Sequence, residues 1–206
     1  MGRKAKDPEI RKKEFVEAAV ELFQTKGFER TSVTDISRKV GVSHGAFFYY
    51  YKSKEDIMSD VITVLLEGNS KFVRELAENE KMTAREKLRA IMTRSIDSYK
   101  TMASDPLTEY FHSPSNIAFH KDYSKRSREL LVPLFVRITE QGIREGYCEV
   151  KYPRETIEYL TYVFEGLDDT FSVPQSNDEY YRKITALELL VTRTLGIKDQ
   201  DLGLLY

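Results

Sequence analysis

The stretch from Thr31 to Lys54, TSVTDISRKVGVSHGAFFYYYKSK, constrains the fold of this chain more than any other. Its first part spaces apolar residues as a helix does and ends at Gly41, where glycine permits a left-handed turn. Ser43 then stands where a second short helix, running to Tyr49 or Tyr50, would be capped. Two short helices joined by a glycine turn are typical of a helix-turn-helix, so we expect the second helix to enter a DNA major groove.

Spacing divides this second helix into a packed side and an exposed side. Val42, Phe47 and Tyr51 fall on one side and are expected to pack against the preceding helix. A helix this short has too little room to bury all five consecutive rings from Phe47 to Tyr51 on one side. An exposed Phe48 suits contact with a thymine methyl group or a sugar. The residues expected to point away from the core are His44, Gly45, Phe48 and Tyr49.

The rest of the chain has helical periodicity, and no alternating run has the length of a strand. Thr83 and Glu86 have the spacing of a capping box. Pro133 is expected to kink a long helix, and Gly68 to loosen another. The sequence therefore predicts an all-α protein with about nine helices. They are expected near residues 9–26, 33–40, 43–50, 53–80, 83–102, 105–113, 116–145, 153–172 and 178–195.

Charge and cysteine content limit the function classes. Residues 1–54 carry 12 Lys and Arg against 7 Asp and Glu, whereas the remaining residues carry 20 against 26. A swing of this size also arises by chance, but it favours contact of the first part alone with a polyanion. Cys148 is the only cysteine, which excludes an internal disulfide and suits a reducing cytoplasm. The longest apolar run, Leu130 to Val136, is too short to span a bilayer, so we expect a soluble protein.

The motif resembles the signature of the TetR family of transcriptional repressors. The resemblance is carried by Thr31 to Ile36 and by Gly41 to Glu55, and is supported by Lys26-Gly27-Phe28 and by Glu140 to Gly146 at the end of a long helix. It implies an all-helical homodimer that binds a palindromic operator with a three-helix N-terminal domain. It also implies a C-terminal domain of about six helices that dimerises and holds an inducer. We accordingly expect a DNA-binding domain over residues 1–54, with a basic arm over 1–8, and a ligand-binding and dimerisation domain over 55–206.

Site residues follow from the resemblance, position by position. The residues implied to lie near bases are His44, Gly45, Ala46, Phe48 and Tyr49. The residues implied to contact phosphates are Thr31, Ser32, Ser43, Tyr50 and Lys54. The family often has Lys at the position of His44, Thr at Ala46 and Tyr at Phe48. The lost charge and hydroxyls predict a weaker hold on phosphate at these positions, for which the arm residues Arg3, Lys4 and Lys6 could compensate.

One motif points to a different class of protein. Gly41 to Gly45, GVSHG, matches G-x-S-x-G, the nucleophile elbow of α/β-hydrolases. That motif needs a buried strand before its serine, whereas Thr34 to Val40 forms a polar helical pattern with one apolar stripe. We therefore predict no catalytic residue and no enzyme. Labelling of Ser43 by a fluorophosphonate would contradict this prediction.

Two surfaces are predicted in the second domain. Residues with apolar bodies, some with a polar tip, are candidates to line a ligand cavity, although ordinary helix packing explains each one as well. These candidates are Met92, Ile96, Tyr99, Phe111, His112, Phe135, Tyr159 and Tyr162. The last two long helices offer apolar surface for a four-helix dimer interface. The dimer candidates are Leu160, Val163, Phe164, Leu167, Leu187, Leu190, Val191 and Thr194.

No cofactor is expected, and no metal site, because His112 and His120 lack ligand spacing with each other or with Cys148. Cys148 is either a redox-sensitive thiol or an inert one. The function that emerges is a ligand-responsive transcriptional regulator, expected to be a repressor, released from DNA by a small-molecule inducer. The alternative is a DNA-binding adaptor in chromosome organisation or cell division, which would recruit a protein and lack a ligand cavity.

Overall fold

The computed structural model describes residues 7–102, 106–107, 110, 116–167, 176–198 and 202–204. Every regular element in these ranges is a helix, as the periodicity predicts. None of the described helices is long and apolar enough to cross a membrane. The helix predicted over 105–113 lies largely outside the described residues. The eight α-helices are α1 (Pro8–Lys26), α2 (Val33–Val40), α3 (His44–Phe47), α4 (Lys54–Glu78), α5 (Ala84–Met102), α6 (Ile117–Arg144), α7 (Pro153–Glu165) and α8 (Asn177–Thr194).

Several helix ends follow the local signals in the sequence. Ser32 caps α2 by accepting a hydrogen bond from the Asp35 amide, while the Asp35 carboxylate accepts one from the Ser32 amide. Thr83 and Glu86 form the same reciprocal arrangement at the start of α5. Gly41 ends α2 with a φ of 77°. This is a left-handed conformation in which a side chain would be strained. These signals depend on neighbouring residues, which is why they can be recognised in the sequence.

The structure differs from the predictions at four helices. Helix α7, predicted to reach residue 172, ends at Glu165, with Gly166 at its C-cap. Helix α3 ends at Phe47, because the amides of Tyr50 and Tyr51 both bond to the Phe47 carbonyl and close the chain into a turn. Helix α4 continues through Gly68 without a break. Helix α8 begins after Ser176, which accepts a hydrogen bond from the Glu179 amide.

The chain divides into two compact units. The first contains Met1–Gly68 and Ser104–Phe119, and the second contains Asn69–Ala103 and His120–Tyr206. A core of large apolar residues holds α1, α2, α3 and the first part of α4 together in the first unit. Residues 106, 107 and 110 belong to this unit as well, and the Tyr110 ring lies 4.3 Å from the Phe28 ring. Buried members of this core include Phe15, Phe23, Ile36, Phe47, Ile57 and Val61.

The second unit has its own core between the end of α4 and helices α5 to α8. Val132 and Ile138 of α6 are buried there, and α6 runs through Pro133 as one helix. The unit is therefore a layered helical body, in which each helix buries one apolar stripe. Other buried members of this core are Val73, Leu76, Leu88, Ile91, Met92, Leu160, Leu187, Val191 and Leu195.

Candidate nucleic-acid interface

Helix α3 is held in place by one ring of its own and one that follows it. Phe47 is fully buried, and its ring meets the Phe15 ring of α1 edge-on, with 5.6 Å between the centroids. The Tyr51 ring lies 5.5 Å from the Phe47 ring, and the Tyr51 hydroxyl donates a hydrogen bond of 2.8 Å to Asp60. Burial and the Asp60 carboxylate raise the pKa of Tyr51, so this hydroxyl stays protonated. Because α3 has only four residues, these contacts rather than its length set its orientation.

The opposite side of α3 is open to solvent. Tyr49 is 79% exposed and Phe48 is 50% exposed, whereas Ala46 is half-buried. Gly45 has open space where a Cβ atom would be, so a nucleic-acid surface could approach closely. We call the exposed residues His44, Gly45, Phe48 and Tyr49 the reading face.

His44 is fixed by two neighbours. Its Nδ1 atom lies 3.1 Å from Thr34 Oγ1 of α2, and its ring meets the Phe48 ring at 5.2 Å. The Nε2 edge is therefore the one left for a base or a phosphate. Residue spacing did not predict Thr34 as a partner of His44, although Thr34 stands beside the buried stripe of α2 on its polar side.

Three of the predicted phosphate contacts lie at surface positions of the same unit. Ser43 has the extended backbone of an N-cap residue, but its hydroxyl makes no capping hydrogen bond and is exposed. Tyr50 is half-buried, with its ring 5.5 Å from Phe15 and 5.0 Å from Tyr49. Ser32 is exposed at the start of α2. Its hydroxyl donates a hydrogen bond of 2.7 Å to Asp35 Oδ2.

Asp35 places a stable negative charge at this helix start. A hydrogen bond from Lys26, followed by those from the Ser32 amide and hydroxyl, holds the pKa of Asp35 well below its usual range. The Lys26 ammonium lies 2.7 Å from the carboxylate and balances its charge. A phosphate near Ser32 would therefore meet an ion pair and not an isolated carboxylate.

Lys54, the first residue of α4, is already engaged. Its ammonium donates a hydrogen bond of 2.8 Å to the Phe28 carbonyl and lies 4.0 Å above the centre of the Phe28 ring. An ammonium has three donors, so this bond leaves capacity for a phosphate. The contact also ties the start of α4 to the loop between α1 and α2, a structural role that the sequence did not reveal.

The prediction that Thr31 contacts phosphate is wrong for its side chain. Thr31 is 1% exposed, and its hydroxyl donates a hydrogen bond of 2.7 Å to the Gly27 carbonyl. Two residues, Thr31 and Ser32, matched the capping pattern at the start of α2, and the chain uses the second as the cap. Thr31 instead joins the loop between α1 and α2 to the end of α1 through its hydrogen bond to Gly27.

One groove of the first unit is acidic. A groove of about 310 Å³ between α1 and α2 is lined by Glu14, Glu17 and Glu21, with Lys39 bonded to Glu21 at 2.5 Å. Such a surface would repel phosphates, which favours an approach of DNA from the side of the reading face. The basic arm residues Arg3, Lys4 and Lys6 lie outside the described residues.

The ligand-pocket candidates that the structure describes divide into exposed and buried residues. Tyr159 is 71% exposed and Tyr162 is 57% exposed, so neither is an interior wall of this chain. Met92 and Ile96 are buried in packed clusters, and Phe135 packs against the larger of them. The side chain of Tyr99, together with Phe111 and His112, lies outside the described residues. Within the described ranges, no three His, Cys, Asp or Glu side chains group closely enough to hold a metal ion.

The predicted dimer residues separate into three groups by burial. Leu160, Leu187 and Val191 are buried in the core of the second unit, so the prediction that they face a second copy is wrong. Helical spacing showed that α7 and α8 carry more than one apolar stripe, but not which stripe the chain's own core would use. Phe164 and Leu167 are half-buried against that core. The residues that remain exposed are Val163, Leu190 and Thr194.

Two family models match the chain. One, described as bacterial regulatory proteins of the tetR family, matches residues 15–61. The other, described as a tetracyclin repressor-like C-terminal domain, matches residues 100–188. Together the two matches take in α3, its supporting helices and most of the second unit.

Curated relatives extend over much of the same length. A fatty acid metabolism regulator protein of Bacillus subtilis is 28% identical over 189 residues, which covers 87% of this chain and 93% of the relative. The transcriptional repressor KstR2 of Mycobacterium tuberculosis is 22% identical over 152 residues, covering 71% of this chain and 74% of that protein. The first of these similarities is long enough to include the reading face together with most of the second unit.

Solved structures share the fold. A TetR-family transcriptional regulator from Pectobacterium atrosepticum superposes with a TM-score of 0.70 at 16% identity, covering 91% of this chain and 95% of that one. A transcriptional regulator from Cytophaga hutchinsonii gives a TM-score of 0.66 at 17% identity, covering 92% of this chain and 98% of that one. At such low identity these likenesses establish the arrangement of helices and nothing more specific.

Proposed function

Because the chain belongs to the TetR family of DNA-binding transcriptional regulators, we propose that it is a repressor that binds a palindromic operator as a homodimer and leaves it when a small-molecule inducer binds. Its relatives are regulators and not enzymes. We also propose which residues contact DNA, which surface forms the dimer and that the protein acts in the cytoplasm.

The observation that carries the operator-binding proposal is the division of α3 and the turn after it into a buried anchor and an exposed reading face. Phe47 is fully buried, while the Phe48 and Tyr49 rings beside it lie largely in solvent. Large exposed rings next to a small residue such as Gly45 suit a groove lined by base edges and thymine methyl groups. They do not suit a merely solvated helix, for which polar side chains would be expected.

We assign roles in DNA binding accordingly. His44, Gly45, Phe48 and Tyr49 approach base edges, with Ala46 at the edge of the contact. Ser43, at the start of α3, reaches a phosphate with its free hydroxyl. The remaining phosphate contacts are assigned to Ser32, Tyr50 and Lys54.

The dimer surface is assigned to the exposed apolar face of α7 and α8. This face consists of Tyr159, Tyr162, Val163 and Leu190. Tyr159 and Tyr162 thus fit a partner surface better than the ligand cavity predicted for them. Exposed apolar residues grouped on neighbouring helices are typical of interfaces between subunits. A two-fold dimer would carry two copies of α3, one for each half-site of a palindromic operator.

Helix α4 provides a route for induction. It begins at Lys54, beside the assigned phosphate contacts in the first unit, and ends at Glu78 in the second. A ligand that displaced the second half of α4 would move Lys54, since a helix transmits a shift along its axis. The name of the Bacillus subtilis relative also suggests that the regulated genes serve fatty acid metabolism.

Selection of random double-stranded DNA on the purified full-length protein tests the proposal and defines the operator. We expect enrichment of a palindrome. Tyr49→Ala should then reduce affinity for the selected site by about 1–3 kcal/mol and relax the preference at the contacted base. Lys54→Met should weaken binding to all sequences and reduce the slope of log affinity against log salt by about 1.

Lys71→Met provides the matched control, because Lys71 lies on α4 as well but is exposed and paired with Glu75. This variant should keep the operator affinity and the salt slope of the parent protein. Failure to enrich any sequence would overturn the proposed operator binding. A salt slope unchanged by Lys54→Met would remove Lys54 from the phosphate contacts.

A further inference from the structure

A basic cleft lies in the second unit, where the end of α4, the start of α5 and the end of α6 meet. Its volume is about 220 Å³. This cleft belongs neither to the reading face nor to the exposed apolar face of α7 and α8. The lining residues are Ala77, Glu80, Lys87, Arg137, Gln141 and Arg144.

Lys87 forms the floor of the cleft and is 1% exposed. Its ammonium donates hydrogen bonds to Gln141 Oε1 at 2.7 Å and to the Ala77 carbonyl at 3.3 Å, both of which are neutral acceptors. Burial lowers the pKa of Lys87 and the nearby charge of Arg137 lowers it further, while the carboxylates of Glu145 and Glu80 act in the opposite direction. Burying an ammonium group without a paired anion costs free energy. An anion bound beside Lys87 would offset that cost.

Two arginines stand above this lysine. Arg137 and Arg144 are seven residues apart on α6, so helical geometry places them on the same face, about two turns from each other. Both are exposed, and neither forms an ion pair within the described part of the chain. A guanidinium presents several N–H donors in one plane and suits an oxyanion.

The nearby carboxylates only partly balance these cations. Glu145 is occupied, because it accepts hydrogen bonds from the Ala84 amide at 2.8 Å and from Gln141 Nε2 at 2.6 Å. Among the described residues that line the cleft, Glu80 is the one carboxylate, against the three cations of Lys87, Arg137 and Arg144. Among the lining side chains positive charge therefore prevails.

We propose that this cleft binds a small ligand through a phosphate or carboxylate group, with Arg137 and Arg144 at the opening and Lys87 beneath. Pockets for drug-sized ligands usually begin at about 300 Å³, so this smaller cleft indicates a compact anion. The site does not depend on the proposed operator binding. It would give the protein a second effector site, for an anionic metabolite, apart from the ligand cavity predicted for the family.

Calorimetric titration of the full-length protein tests the site, with inorganic phosphate in one series and succinate in another. Ionic strength is held constant with chloride so that general screening does not change. Binding of either anion in the millimolar range or below supports the proposal. A preference for phosphate identifies a phosphorylated ligand, and a preference for succinate identifies a carboxylate ligand.

Variants separate a built site from general electrostatic attraction. Arg137→Gln and Arg144→Gln should each weaken binding about tenfold, as expected for loss of one charge-assisted hydrogen bond. Glu80→Gln should tighten binding, an effect that a purely structural role of the cleft would not produce. These exposed positions are used because substitution of Lys87 could prevent folding.

Arg126→Gln is the matched control, since it makes the same substitution on α6 about three turns before Arg137. It should leave the affinity unchanged. The proposal is overturned if neither anion binds at millimolar concentration, or if Arg126→Gln weakens binding as much as Arg137→Gln does. It is also overturned if Glu80→Gln leaves the affinity unchanged.

Discussion

Thr31 and Ser32 show how two adjacent hydroxyl groups take opposite roles. Ser32 lies at the surface and caps α2, whereas Thr31 points inward and bonds to the carbonyl of Gly27. That carbonyl has no access to water if the threonine hydroxyl is lost, because Thr31 is buried. The hydroxyl of Thr31 is therefore expected to matter for stability and not for DNA contact.

Thr31→Val should lower the free energy of unfolding by about 1–3 kcal/mol, the cost of leaving a buried carbonyl unpaired. Urea denaturation measures this change. Thr25→Val is the control, since Thr25 makes a similar bond of 2.7 Å to the Glu21 carbonyl but lies exposed on α1. This control should change the free energy of unfolding by less than about 0.5 kcal/mol. Equal effects of the two substitutions would contradict the role assigned to Thr31.

The charge of Asp35 makes the stability of the folded protein depend on pH in the acid range. Its pKa in the folded state is held below the unfolded value of about 3.9 by Lys26 and Ser32. Its contribution to stability is therefore fully present above about pH 4 and is lost as pH falls below that value toward the folded pKa. Asp35→Asn should lower the melting temperature at neutral pH and flatten the decline of melting temperature in acid.

Thermal unfolding followed by circular dichroism, from neutral pH down to about pH 2, measures this difference. Asp122→Asn is the control, because Asp122 makes one exposed ion pair with Arg126, at 3.3 Å on the same helix. Pairs of that kind contribute only about 0.3–0.5 kcal/mol. Parallel acid limbs for the parent protein and Asp35→Asn would refute the proposed link.

Different structural features decide where the helices of this protein end. Helix α3 stops after four residues because its closing turn is also the place where Tyr51 reaches into the core. Helix α6 passes through Pro133, and the chain turns at Gly146 with a φ of 71°. A larger residue would adopt that conformation only with strain. Near this end, Gly142 packs so closely that a Cβ atom there would lie 2.6 Å from the Cys148 sulfur.

Cys148 is a packing residue of this helix end. It is buried, and burial raises the pKa of its thiol to about 11, which disfavours the reactive thiolate. Of the two roles considered for this cysteine, the inert thiol is the one that these surroundings favour. The small Gly142 and the compact sulfur together allow the chain to turn back against α6.

Gly142→Ala should destabilise the protein by about 1–3 kcal/mol, because the added methyl group meets the Cys148 sulfur and the Ala84 side chain. Adding Cys148→Ala should recover part of this loss by removing the sulfur. Gly68→Ala is the control, since Gly68 lies within α4 with open space around it. This control should stabilise the protein by up to about 1 kcal/mol. Urea denaturation measures the free energy of unfolding of the parent protein, of the two single variants at Gly142 and Cys148 and of their double variant. Strict additivity of the two single changes would contradict the contact between Gly142 and Cys148.

At the scale of the whole molecule, α7 and α8 carry apolar residues that the chain's own core does not bury. Leu160 and Val191 face inward, while Tyr159 and Leu190 on the same helices face solvent. If a second copy covers this face, operator binding depends on the dimer, because two linked reading faces bind far more tightly than one.

Leu190→Asp should convert the dimer to a monomer and reduce operator affinity by about 100-fold or more. Sedimentation velocity measures the oligomeric state, and fluorescence anisotropy measures the affinity. Tyr152→Asp is the control, because this exposed residue precedes α7 at its N-cap, where aspartate is well tolerated. A protein that stays dimeric after Leu190→Asp would exclude this face as the interface.

The order of helices, most of their ends and the division of α3 into anchor and reading face can be predicted from residue spacing. These features depend on the 3.6-residue period, on caps and on glycine turns, which are properties of neighbouring residues. The roles of Thr31 and Lys54, the inward stripes of α7 and α8 and the basic cleft cannot be predicted that way. Each depends on which of several suitable surfaces packs against a segment distant in sequence, and that choice rests on the total buried area and not on local pattern.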